Sequence, residues 1–91
     1  MQKIYLDFET YYDVQLSLTK MSTVQYVNHP DFKVWGVGIK VDEGETEWYN
    51  EEETPEILSQ INWNDCSLIC HNTLFDAYIL TQYFGHNPAF Y

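Results

Sequence analysis

The sequence predicts a small α/β domain built on a mixed sheet, from three observations. Residues 3 to 9 alternate with a period of two, residues 32 to 41 do the same ahead of an acidic turn, and the second half carries two helical patterns around a short apolar run. Ninety-one residues hold one such domain at most. With 45% hydrophobic and 18% aromatic residues, the chain is too apolar to stay disordered and should bury a core.

In the first strand Ile4, Leu6 and Phe8 share one face and Tyr5, Asp7 and Glu9 the other, so two carboxylates point the same way. Met21 to Asn28 predicts a short helix that opens at Ser22 and stops at His29-Pro30. From Phe32 to Val41, Trp35, Val37, Ile39 and Val41 alternate against Val34, Gly36, Gly38 and Lys40. Asp42-Glu43-Gly44-Glu45 then turns the chain into Thr46 to Tyr49, predicting a β-hairpin. Thr54-Pro55-Glu56 supplies an N-cap, a first-turn proline and a first-turn acid for a helix with Ile57, Leu58 and Ile61 on its apolar stripe, ending near Trp63. Ser67 to Cys70 does not alternate, which predicts an inner strand buried on both faces and paired in parallel. Asn72 caps a last helix from Thr73 to about Phe84, which Gly85 and Pro88 terminate. That helix is apolar nearly all round and should be covered on several sides. The chain stops at Pro88-Ala89-Phe90-Tyr91, just past a helix still in need of cover, so the domain reads as truncated.

Charge narrows the function. Fourteen acids stand against four Lys and no Arg, a net charge of -10. Nucleic-acid affinity rests on cationic contacts to phosphate, so unaided binding of nucleic acid is disfavoured. A divalent cation, a cationic partner or simple solubility fits better. No apolar run approaches the roughly 20 residues of a membrane span, and the N-terminus lacks the core of a signal peptide, so no membrane partner and a cytoplasmic location are expected. Cys66 and Cys70, four apart in a strand rising about 3.3 Å per residue, are too distant for a disulfide and read as reduced thiols.

Asp7 and Glu9, at i and i+2 on one strand face, are spaced to share a hard cation. Asp76, one turn into a helix that follows a parallel strand, can add a third carboxylate to an oxygen-rich site suited to Mg²⁺ or Mn²⁺. Two such ions about 3.5 to 4 Å apart activate water and stabilise a leaving oxygen in phosphoryl transfer.

Leu6-Asp7-Phe8-Glu9-Thr10 resembles the first motif, Asp-X-Glu-Thr, of the 3'-5' exonuclease (proofreading) domains of family A DNA polymerases, of the DEDD exonuclease superfamily and its ribonuclease H-like fold. His71-Asn72-Thr73-Leu74-Phe75-Asp76 resembles the second motif, Asn-X-X-(Phe/Tyr)-Asp, and the stretch Tyr26 to Ile39 is similar to phage polymerases of this group. The resemblance implies that Asp7 bridges two metal ions, Glu9 binds the ion carrying the attacking water, and Asp76 holds the second. It implies that Asn72 and Thr10 place the substrate, that Phe75 packs beneath the site, and that the substrate is a single-stranded DNA 3' end in a phage-infected bacterial cell. The family's third motif, a Tyr or His four residues before a fourth carboxylate, has no counterpart after Asp76. Residues 1–91 therefore read as the amino-terminal part of an exonuclease domain, inactive alone, whose partners are its second half or a polymerase domain.

Each of these residues also has a plain structural reading. Asp7 and Glu9 suit a solvated strand face, Asp76 suits a first helical turn, and Asn72 is a good N-cap. His71 reads as a hydrogen-bonded strand end, and Tyr11 and Tyr12 as packing or as platforms for an unpaired base. The alternative function is a standalone acidic protein that binds or inhibits by occupying a cationic groove.

Overall fold

In a computed structural model of the chain, described for residues 2–12, 16–18, 21–70 and 72–89, strand β1 (Gln2–Thr10) is central. On one side it pairs antiparallel with β2 (Val34–Val41), which pairs antiparallel with β3 (Glu47–Asn50). On the other side it pairs in parallel with β4 (Cys66–Cys70), giving the order β3-β2-β1-β4. The chain is thus mixed α/β with a four-stranded mixed sheet.

Period-two patterning puts Ile4, Leu6 and Phe8 opposite Val41, Ile39 and Val37, and Leu68 beside Ile4. Of these, all but the exposed Val41 join one buried cluster with Val27, Leu58, Trp63, Ile79 and Leu80 from the helical segments. Helix α1 (Thr23–Val27) opens as expected at Ser22, whose hydroxyl accepts from Gln25 N–H while the Gln25 side chain accepts from Ser22 N–H. Helix α2 is Thr54–Ser59, and a 3₁₀ turn (Trp63–Asp65) leads into β4. Helix α3 (Thr73–Tyr78) continues as a π turn over Ile79–Tyr83, and Gly85, at φ 77°, reverses the chain so that His86 N–H reaches Leu80 C=O at 3.0 Å.

Five sequence expectations are corrected. Thr54 does not cap α2: it is buried and its hydroxyl donates to Asn50 C=O at 2.7 Å, tying the helix to β3. That helix ends at Ser59, short of Trp63, whose indole N–H instead donates to Leu58 C=O. Trp35 is exposed and Val34 buried, because a bulge between Glu9 and Thr10 pairs Thr10 with Val34 and so shifts the β2 alternation. β4 is parallel, as expected, but lies at the sheet edge rather than inside it, with Ser67, Ile69 and Cys70 only half-buried. Leu74, 73% exposed, breaks the expected all-round cover of the last helix.

No helix among the described residues is long and apolar enough to cross a membrane. Cys66 is buried, Cys70 half-buried, and both are free thiols.

Candidate functional site

β1 reaches past the end of β4. Their parallel register stops at Leu6 and Cys70, so the next β1 donor on that side, Phe8 N–H, has no strand to answer it. Asp76 answers instead: its Oδ1 accepts from Phe8 N–H at 3.1 Å. Its Oδ2 accepts from Asn72 N–H at 3.3 Å, while Asp76 N–H donates to Asn72 C=O at 2.8 Å. Asp76 is 1% exposed, so its desolvation is offset by these bonds. The first turn of α3 is thereby fixed to β1, with the third carboxylate against the peptide that joins Asp7 to Phe8.

Asp7 and Glu9 are solvent-exposed on the opposite face from the core, as their alternation predicts. Their cross-strand neighbours are Gly38 and Gly36, so β2 presents no side chain directly beside either acid. Asn72 caps α3, its side-chain oxygen accepting from Phe75 N–H at 3.4 Å. Phe75 packs on Tyr26 with ring centroids 6.0 Å apart. Thr10 Oγ1 donates to the Tyr26 hydroxyl at 2.8 Å, and that hydroxyl donates to Tyr11 C=O. A single cavity of about 380 Å³ collects Asp7, Glu9, Thr10, Asn72, Phe75 and Asp76. All six site residues singled out from the sequence line it.

Sequence reasoning missed Tyr26, Ser17 and Leu18, which also line this cavity. Tyr26 lies in α1, one residue past the Ser22–Gln25 capping box, and nothing in the sequence pattern marks it, Ser17 or Leu18 for the site. Tyr12 lines the cavity too, and is exposed, whereas Tyr11 packs edge-on against Trp35. His71 lies outside the described residues.

Cys70, also missed, closes β4 beside the acids. Burial first, then the carboxylates of Asp76 and Asp7, push its thiol up to about 12 from an ordinary value of 9.0. With the folded value raised, Cys70 contributes stability that is fully present below the unfolded value and is lost as pH rises from about 9 towards 12. Alkylation by iodoacetamide at pH 8 should therefore be slower at Cys70 than in the urea-unfolded chain, by at least about tenfold. Equal rates would show that the fold does not shield this thiol.

The donor chemistry here, three carboxylates with an amide and a hydroxyl oxygen, is of the kind Mg²⁺ or Mn²⁺ takes. The side chains as they stand do not form a complete ligand set: among the described residues, no group of three or more His, Cys, Asp or Glu is arranged to hold an ion. Comparison with known proteins found no matching family model, no similar curated protein and no similar solved structure.

Proposed function

We propose that this chain is part of a metal-dependent 3'-5' exonuclease domain of ribonuclease H-like fold, belonging to a phage-type DNA polymerase and serving proofreading. The observation that carries this reading is the convergence of the two motifs on one cavity, Asp7, Glu9 and Thr10 from β1 with Asn72, Phe75 and Asp76 from α3. The antiparallel β1-β2-β3 meander with β4 added in parallel supports the fold assignment.

Asp7, Glu9 and Asp76 would hold two Mg²⁺ or Mn²⁺ ions, which when bound supply a nucleophilic water and charge neutralisation at the scissile phosphate. The chain's own residues do the rest. The buried Asp76 is fixed by two backbone donors, while Asp7 and Glu9 stay accessible to solvent. Asn72 and Thr10 offer polar contacts to the 3'-terminal nucleotide of single-stranded DNA, and Phe75 walls the cavity. A site lined by three carboxylates repels phosphate until a cation is present. DNA binding should therefore require the divalent ion, and hydrolysis should require the second half of the domain.

The test is Mn²⁺ titration followed by electron paramagnetic resonance. Weak binding is expected in the native chain, with a loss of at least about tenfold in Asp7→Asn with Glu9→Gln, both at exposed positions. Unchanged binding in that double variant removes the site assignment. The second reading, an acidic protein that occupies a cationic groove, draws on the net charge of -10 and on the incomplete ligand set. It expects no specific Mn²⁺ binding at all.

A further inference from the structure

We infer that Tyr26 is a positioning residue for the site: it commits the Thr10 hydroxyl to act as a hydrogen-bond acceptor, so that the cavity selects a strand end carrying a hydroxyl donor. The inference rests on the exonuclease reading and adds to it the chemical group that Thr10 recognises.

Proton counting sets the direction of the relay. A tyrosine hydroxyl has one proton to give. That of Tyr26 goes to Tyr11 C=O, which can only accept. The 2.8 Å contact between the Tyr26 hydroxyl and Thr10 Oγ1 is therefore made with the Thr10 proton. Thr10 has then given its only side-chain proton, and what its Oγ1 still offers is lone pairs. Thr10 lines the cavity together with Asp7 and Glu9. A ligand group that bonds to this oxygen must bring the proton itself.

The relay is held at each member. Tyr26 is 2% exposed, with its ring edge-on to Phe32 at 5.3 Å and tilted against Phe75 at 6.0 Å. Helix α1, which carries it, is closed at its start by the Ser22–Gln25 box. At its end Asn28 Nδ2 donates to the Tyr78 hydroxyl at 3.0 Å, tying α1 to α3. Tyr11 N–H donates to Lys33 C=O at 2.8 Å, which fixes the chain just past β1 against the approach to β2. A hydroxyl held by packing and by hydrogen bonds on both sides stays in one place, as a preorganised contact requires.

The facing wall has the opposite sense. Asn72 Oδ1 accepts from Phe75 N–H at 3.4 Å, which leaves the Asn72 amide N–H groups to donate elsewhere. A 3'-terminal nucleotide carries both complements, a hydroxyl that donates and phosphate oxygens that accept. The two contacts thus seat the 3'-hydroxyl at Thr10 and a phosphate at Asn72.

The test is fluorescence anisotropy with a short thymidine strand labelled at its 5' end, in saturating Mn²⁺, ending in either a 3'-hydroxyl or a 3'-fluoro group. Fluorine matches the hydroxyl in size and has no proton to donate. The native chain should prefer the hydroxyl end by about fivefold, the worth of one neutral hydrogen bond. Tyr26→Phe frees the Thr10 proton and should bring the preference below about twofold, and Thr10→Val should do the same. Thr10→Ser keeps the hydroxyl and should retain the preference. A ratio between two ligands on one protein does not move with stability alone, and where Tyr26→Phe fails to fold by circular dichroism, Thr10→Val decides. Mn²⁺-dependent binding of the strand without end preference would overturn the inference alone, as would a full preference in folded Tyr26→Phe or in Thr10→Val. Absence of any Mn²⁺-dependent strand binding by the native chain would remove the exonuclease reading and this inference with it.

Discussion

Replacing Asp76 by Ala should lower the unfolding free energy by about 3 kcal/mol, read as a lower urea midpoint. Two backbone donors, Phe8 N–H and Asn72 N–H, lose a carboxylate acceptor, and the first of them sits in the buried interior. Hydrogen bonds to a charged group contribute about 1.5 to 3 kcal/mol each, and an orphaned buried donor retains its desolvation cost. Because total stability of a small domain is about 5 to 15 kcal/mol, the loss is a large share. Asp76→Asn keeps one acceptor oxygen and should lose about half as much. A change below about 1 kcal/mol for Asp76→Ala would mean that the acid does not anchor α3 to β1. The same side chain thus has a structural role whether or not it binds metal, so metal binding is best tested at Asp7 and Glu9.

The second large effect is expected at Gly36. A Cβ there would fall on the Tyr49 carbonyl oxygen and within the Trp48 ring, whose Cη2 atom is 2.8 Å away. The carbonyl is backbone and cannot yield without loosening the register of Gly36 with Asn50 and Val37 with Tyr49. Gly36→Val should therefore cost about 3 kcal/mol or release β3 from the sheet. Gly38 is the control on the same strand. A methyl group at Gly38 would meet Thr46 Cγ2 at 3.5 Å as its nearest side-chain neighbour, which is ordinary contact. Gly38→Ala should leave stability within about 1 kcal/mol of the native value, because the new methyl fits and glycine is unfavourable inside a strand. Thermal unfolding of the two variants side by side checks the contrast, and equal losses would contradict it.

Local signals in the sequence transferred well to the structure. Alternation placed Ile4, Leu6 and Phe8 inside and Asp7 and Glu9 outside, and the caps at Ser22 and Asn72 opened α1 and α3. Signals that depend on a partner element did not transfer. The Glu9/Thr10 bulge belongs to two strands at once, so the β2 pattern alone could not show that Val34 rather than Trp35 turns inward. A short apolar run such as Cys66–Cys70 reads alike at the centre or the edge of a sheet, because composition reports burial of side chains and not pairing of the backbone. Thr54 looked like a cap because its type is right, but the neighbouring Asn50 carbonyl competes for its hydroxyl. For the site, all three acids were legible from spacing. The Phe8 N–H that holds Asp76 was not, since it arises where β4 ends and β1 continues.

The most direct test is a crystal of the chain soaked in Mn²⁺ and measured at the manganese absorption edge. Anomalous density at the β1 and α3 junction, within about 2.0 to 2.4 Å of carboxylate oxygens from Asp7 and at least one of Glu9 and Asp76, is the expected result. An ordered map in which those oxygens face only water, with manganese elsewhere or nowhere, would contradict it.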